Sequence, residues 1–212
     1  MDNASGTAAL IEVARAFASL PQPPPRSILF IATTAEEKGL RGAEYYTHHP
    51  LVPLARTAAD VNIDVVQMLG RFQDVVPLGA EKSSLEEMVR EACAWLDLRV
   101  SPDPMPEKGY YYRSDNYRFA EAGVPSVSLN GGLEWEGVSP EEARRRSEEW
   151  IATRYHKPSD RYDPAFDFFA AKRETELQFA FGWIVAHAPA MPAWKPGDEF
   201  EAVRKSQLEG RR

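Results

Sequence analysis

A near-continuous apolar run over residues 27–33 constrains the fold more than any other feature of this sequence. The run reads SILFIAT and has no polar alternation. Such runs are typical of strands that are buried on both faces, as in a parallel sheet. An amphipathic pattern precedes it, because Leu10, Val13, Ala14 and Phe17 recur at helical spacing. A helix over about residues 5–19 followed by a buried strand indicates an α/β fold.

The rest of the chain continues this alternation of strands and helices. Further strands are predicted over residues 58–66, 74–78 and 126–129, and further helices over residues 40–46, 84–96, 114–123, 139–150 and 168–186. The pattern predicts a mostly parallel, mixed sheet flanked by helices. We expect one domain over residues 1–188 and a weakly ordered tail over residues 189–212.

Composition excludes several classes of protein. The chain has 212 residues and a formal net charge of −7, which argues against a nucleic-acid partner. The sequence contains no run of 18 apolar residues, the length at which a segment becomes a candidate membrane span. The single cysteine, Cys93, lies within a helical pattern, and we interpret it as a buried packing residue.

Several metal-binding residue types fall where predicted strands or loops end. Glu36 and Glu37 follow the first strand, and Asp64 lies in an apolar run, where an unpaired carboxylate is costly to bury. Asp2 stands at a helix entrance, and His156 follows a loop. All of these residues except Asp64 have a plainer alternative: Asp2 could be an N-cap, the two glutamates a solvated turn, and the histidine a turn residue. Carboxylates and an imidazole at one sheet edge are together suited to zinc.

The order and spacing of six motifs resemble one known family. They resemble the di-zinc exopeptidases that include bacterial leucine aminopeptidase, Streptomyces-type aminopeptidase and the glutamate carboxypeptidases. The resemblance covers about residues 1–187, and its motifs are residues 2–6 (DNASG), 34–46 (TAEEKGLRGAEYY), 62–64 (NID), 113–115 (RSD), 123–125 (GVP) and 155–160 (YHKPSD). It implies a zinc-dependent aminopeptidase that binds two zinc ions in the family and one or two here. The implied substrate is a peptide with a free N-terminus.

The resemblance also implies a role for each site residue. Asp2 would bridge two zinc ions, Glu37 would bind one of them, and Asp64 would bind the other. His156 would bind one of the two, together with either Glu37 or Asp64. Glu36 would be the general base. A tyrosine before the Ser-Asp motif would hydrogen-bond the tetrahedral intermediate, and Tyr111 and Tyr112 are the candidates.

The chain departs from the family pattern at its start. The family has a His-x-Asp strand upstream of the DNASG motif, and none of the four histidines here lies in a matching context. We therefore expect an N-terminally truncated, C-terminal portion of the catalytic domain that holds one zinc better than two. Its sheet would lack the first strands, and a homo-oligomer, an exchanged strand or a partner chain would cover the exposed edges. Relatives are mostly exported, so a secreted or periplasmic location is expected, although no signal segment stands in this chain.

Two alternatives come from other classes of protein. A non-catalytic binding or scaffold domain could keep the peptidase fold, and a glutaminyl-cyclase-like transferase shares the fold with one zinc. The adjacent glutamates and the DNASG segment favour the peptidase.

Overall fold

Four strands form one mixed sheet in the computed structural model, which describes residues 1–210. The strands are β1 (Asp60–Asn62), β2 (Asp74–Leu78), β3 (Arg99–Val100) and β4 (Ser126–Gly131), arranged in the order β1-β4-β2-β3. Two neighbouring pairs, β1 with β4 and β2 with β3, are parallel, whereas β2 and β4 are antiparallel. The predicted mixed, mostly parallel sheet is confirmed.

Helices cover the sheet. They are α1 (Ala4–Ala18), α2 (Arg41–His48), α3 (Leu85–Trp95), α4 (Asn116–Glu121), α5 (Pro140–Thr153), α6 (Phe168–His187) and α7 (Glu201–Glu209). The long helix α6 contacts α1, α3 and β4, whereas α4 contacts α2, β1 and β4. The sheet therefore lies between two groups of helices, as an α/β domain requires.

The main core lies between the sheet and helices α3 and α6. Phe72, Leu85, Leu129, Leu177 and Phe181 are all at most 1 % exposed there. Each such side chain contributes about 1.5–3 kcal/mol through burial. Cys93 lies in the same core, which confirms that it is a packing residue.

The predicted strand over residues 27–33 is not a strand in the structure. Within the described chain, none of these residues shares a backbone–backbone hydrogen bond with another segment, and Leu29 is 49 % exposed. A cavity of about 1400 Å³, which we call the edge cavity, is lined by residues 25–34 and by residues 56–64, among others. A strand needs a neighbour about 4.8 Å away, and this segment has none. The strand predicted over residues 58–66 is correspondingly short, with ladder pairing only from Asp60 to Asn62.

The tail is better ordered than the sequence predicted. Trp194 and Phe200 are buried against Tyr111, and Arg204 of α7 donates hydrogen bonds to the carbonyl oxygens of Leu54 and Thr57. The prediction of weak order was wrong because it weighed local composition and not these distant partners. The proposed domain boundary at residue 188 stays a prediction.

Candidate metal centre

Asp2 precedes α1, and its carboxylate is free of a capping role. The helix is capped by Asn3, whose side chain accepts a hydrogen bond from the backbone N–H of Gly6 at 3.1 Å. Asn3 therefore satisfies the exposed N–H group that an N-cap residue serves. The Asp2 carboxylate points instead towards His156. The interpretation of Asp2 as the N-cap residue of α1 is therefore wrong.

Glu36 and Glu37 begin a 3-10 turn, Glu36–Lys38, directly after the unpaired segment. Ala35 before the turn has φ 57° and Gly39 after it has φ 93°, so the chain bends sharply on both sides. Glu37 contacts His156, whereas Glu36 lines the same pocket as Asp64 and does not belong to the group formed by Asp2, Glu37 and His156.

His156 lies in the loop between α5 and α6. Its φ is 55°, and its ring stacks on that of Tyr155 with centroids 3.8 Å apart. This stacking fixes the plane of the imidazole. The Nε2 atom then faces the two carboxylates of Asp2 and Glu37.

Asp2, Glu37 and His156 form a compact group, which we call the acid–imidazole cluster. His156 Nε2 lies 3.2 Å from Asp2 Oδ2 and 2.7 Å from Glu37 Oε1, and one ligand atom of each residue lies within 4.8 Å of the others. Tetrahedral zinc with bonds of about 2.0–2.2 Å places its ligand atoms about 3.4 Å apart. The spacing and the donor types therefore fit one zinc ion.

Asp64 lies beside this cluster and has its own support. Its Oδ2 accepts a hydrogen bond from Ser114 Oγ at 3.0 Å, and Ser114 in turn accepts one from Asn62 Nδ2 at 3.0 Å. These two linked hydrogen bonds fix the Asp64 carboxylate just beyond the end of β1. Asp64 lines the same pocket as Asp2, Glu36, Glu37 and His156, although its oxygens fall outside the three-residue group.

The site carries excess negative charge. Burial, followed by the charges of Asp64 and Glu37, raises the pKa of Glu36 to about 7. Burial also raises the pKa of Asp2, with a further contribution from Glu37, and burial raises the pKa of Asp64. Carboxylates that raise one another's pKa are stabilised by a cation placed between them. The electrostatics therefore fit a divalent ion as well as the geometry does.

A pocket of about 330 Å³, which we call the cluster pocket, opens beside these residues. Its volume is at the small end of the range of ligand-binding pockets. Apolar side chains cover much of its wall, and they are Val76, Leu78, Met105, Leu133 and Ile151. The cluster pocket thus places an apolar surface next to the acidic groups.

The structure does not bring Tyr111 and Tyr112 to the cluster pocket. Tyr111 is 6 % exposed, and its hydroxyl lies 3.1 Å from Ser126 Oγ. Burial raises the pKa of this hydroxyl, although the contact with Ser126 lowers it. The Tyr112 hydroxyl donates to Glu199 Oε1 at 2.7 Å. The tyrosines that line the cluster pocket are Tyr110 and Tyr155. Sequence reasoning missed Tyr155, although its position next to His156 was a usable signal.

The remaining histidines lie apart from the cluster. His48, His49 and His187 are exposed at or near helix ends, where each Nδ1 lies close to the backbone carbonyl oxygen four residues earlier. These three histidines therefore occupy surface positions at or near helix ends. Among the helices of residues 1–210, none combines the length and apolar character that a bilayer crossing requires.

Comparison with known proteins identifies relatives of this chain. The model of peptidase family M28 matches residues 1–179. Aminopeptidase YwaD of Bacillus subtilis is 41% identical over 164 residues, which cover 75% of this chain and 32% of that protein. Leupeptin-inactivating enzyme 1 of Streptomyces exfoliatus is 26% identical over 208 residues, which cover 94% of this chain and 44% of the enzyme. The chain therefore spans less than half the length of these relatives.

Solved structures show the same fold. An aminopeptidase from Aneurinibacillus sp. strain AM-1 superposes with a TM-score of 0.64 at 21% identity, covering 93% of this chain and 42% of that one. The LapA aminopeptidase of Legionella pneumophila gives a TM-score of 0.63 at 19% identity, covering 89% and 47%. Because the family model spans most of the sequence, the chain belongs to peptidase family M28.

Proposed function

We propose that the protein is a zinc-dependent aminopeptidase that hydrolyses the N-terminal bond of peptides with a free amine. The acid–imidazole cluster of Asp2, Glu37 and His156, at the wall of the cluster pocket and next to Glu36, is the observation that carries this proposal. Membership of family M28 and the similarity to an aminopeptidase support it.

The ion would be held by Asp2, Glu37 and His156, with Asp64 beside them. When bound, zinc supplies a Lewis acid that polarises the scissile carbonyl and makes water more acidic. The excess of carboxylates gives the metal-free site a negative field, which attracts the protonated amine of a peptide as well as the ion. An apolar wall that includes Leu78 and Leu133 would contact the side chain of the substrate.

Glu36 is proposed as the general base. It lines the cluster pocket but is not one of the three cluster residues, so its carboxylate stays available for proton transfer. It would take a proton from the attacking water and deliver it to the nitrogen of the leaving amine. Glu36 and Glu37 stand on one turn, and Glu37 contacts His156, so the two glutamates would divide the roles of base and metal ligand.

Tyr155 takes the role that the resemblance assigned to Tyr111 or Tyr112. It lines the cluster pocket and stacks on His156, so its position next to the metal ligand is fixed. Burial, with the nearby acids, raises its pKa to about 12, so the hydroxyl keeps its proton at neutral pH. It could therefore donate a hydrogen bond to the oxyanion that forms on the substrate.

One zinc ion fits residues 1–210 better than two, because Asp64 stands outside the three-residue group. The sequence also predicted that another polypeptide segment covers the exposed edge of the sheet. The edge cavity supports this proposal. Its two long walls are residues 25–34, which are unpaired from residue 27 to residue 33, and residues 56–64, which include β1. We propose that an extended strand from outside the described residues fills it, because a strand would satisfy backbone groups on both walls.

Hydrolysis of aminoacyl-p-nitroanilides tests the proposed activity. We expect cleavage that a chelator abolishes and zinc restores, and no cleavage of the N-acetylated substrate, which lacks the free amine. Zinc binding without hydrolysis would favour a non-catalytic domain, and cyclisation of N-terminal glutamine would favour the transferase. Light scattering tests the covering strand: a monodisperse monomer that unfolds cooperatively would contradict it.

A further inference from the structure

Asp160 contacts main-chain nitrogen atoms of Met1 and Asp2. Its Oδ2 accepts a hydrogen bond from the backbone N–H of Asp2 at 2.8 Å, and its Oδ1 contacts the amino group of Met1. The Asp160 side chain is only 7% exposed. A buried carboxylate with both oxygens engaged is a specific feature of the fold and not a solvated loop residue.

Asp160 and His156 lie on the same short loop. Backbone hydrogen bonds within this loop join Lys157 N–H to the Arg154 carbonyl and Asp160 N–H to the Lys157 carbonyl, both at 2.9 Å. His156 at one end of residues 156–160 faces the Asp2 carboxylate, and Asp160 at the other end binds the Asp2 backbone. The loop therefore holds the side chain and the main chain of one residue at the same time.

We propose that Asp160 is a positioning residue that fixes Asp2 so that its carboxylate faces the same point as His156 and Glu37. The inference rests on the proposed function, since it assumes that the cluster binds an ion. Asp160 itself does not belong to the three-residue group. It would act through Asp2, as outer partners of metal ligands commonly do.

Two replacements separate the acceptor oxygens of Asp160 from its charge. A carboxylate accepts a stronger hydrogen bond than a neutral amide oxygen does. Replacement by asparagine keeps one acceptor oxygen and removes the charge, whereas alanine removes both.

Zinc affinity of the full chain, measured by competition with a chromophoric chelator, tests this inference. We expect Asp160→Ala to weaken zinc binding by roughly 10–100-fold. Asp160→Asn should fall between Asp160→Ala and the wild type. Asp163→Ala is the matched control, because Asp163 lies on the same loop but pairs with Arg154 and makes no contact with Asp2. It should leave the affinity unchanged.

Amide hydrogen exchange in the metal-free protein gives a second readout. The Asp2 amide should exchange faster in Asp160→Ala and Asp160→Asn than in the wild type, with exchange in α6 unchanged if the fold is intact. If a folded Asp160→Ala or Asp160→Asn variant binds zinc as tightly as the wild type, the inference is overturned. An equal loss in Asp163→Ala would overturn it too, since general loosening of the loop would explain both. A wild type that binds no zinc would reject the proposed function, and this inference with it.

Discussion

His156 Nε2 lies 2.7 Å from Glu37 Oε1, although the two residues belong to distant parts of the chain. Glu37 stands on the turn after the unpaired segment, and His156 stands on the loop between α5 and α6. Asp2 Oδ2, at 3.2 Å from the same nitrogen, completes the cluster. The imidazole is therefore the common neighbour of both carboxylates.

Replacing His156 with alanine should remove zinc binding at the cluster. The change deletes the nitrogen that both carboxylates share, and two carboxylates alone bind zinc weakly. We expect the loss of bound zinc, measured by elemental analysis after dialysis, together with loss of peptidase activity. His187→Ala is the control, because His187 contacts only the end of its own helix, and it should retain zinc. Full zinc occupancy in His156→Ala would place the ion elsewhere.

Glu36→Gln should separate zinc binding from catalysis. The amide keeps the size of the side chain but accepts no proton, so we expect activity to fall by roughly 10²–10⁴-fold while zinc is retained. Steady-state hydrolysis and zinc content of the same preparation measure both quantities. Glu44→Gln on the exposed part of α2 is a control that should keep activity, since Glu44 pairs with Arg41. If Glu36→Gln loses zinc instead, Glu36 is a ligand and not the base.

Tyr155→Phe should lower kcat and leave zinc in place. Phenylalanine keeps the ring that stacks on His156 and removes only the hydroxyl. Loss of one donor to an oxyanion costs roughly 10²–10³-fold in kcat. Tyr112→Phe is the comparison, because its hydroxyl donates to Glu199 outside the cluster pocket, and it should have little effect. If Tyr112→Phe lowers kcat and Tyr155→Phe does not, Tyr112 is the residue that binds the intermediate.

Glu174 should make the folding stability depend on pH. It is buried on α6, where its Oε2 accepts from the backbone N–H groups of Gln67 and Gly131, and burial raises its pKa from 4.5 to about 7. The folded state therefore holds this proton more tightly than the unfolded state. Its contribution to stability is fully present below pH 4.5 and is lost as the pH rises towards 7.

Glu174→Gln tests this pH dependence. The amide oxygen can accept the same two hydrogen bonds without a charge, so the loss of stability between about pH 4.5 and 7 should become smaller than in the wild type. Urea unfolding at several pH values gives the free energies of unfolding. Glu176→Gln is the matched control, because Glu176 lies on the same helix and pairs with Lys172 at the surface. Identical pH profiles for the wild type and Glu174→Gln would contradict the prediction.

Local patterns were sufficient for much of the fold. The predicted strand over residues 74–78 matches β2, and the helices predicted over residues 84–96 and 168–186 match α3 and α6 closely. These elements bury their apolar faces against neighbouring elements of the same chain. The spacing of their apolar residues therefore predicted their secondary structure correctly. The same reasoning failed over residues 27–33, because an apolar run shows that a strand would be buried without showing that a partner strand lies beside it.

The candidate site divides in the same way. The sequence by itself determined which residue types could bind a metal, because the motifs place Asp2, Glu37 and His156 in the order that a family of metallopeptidases shares. Only the tertiary structure decided that Asn3 caps α1, that Tyr155 and not Tyr112 lines the cluster pocket, and that the three ligand atoms converge. Chemical identity is a property of each residue, whereas convergence depends on contacts between residues far apart in the chain, which no local pattern encodes.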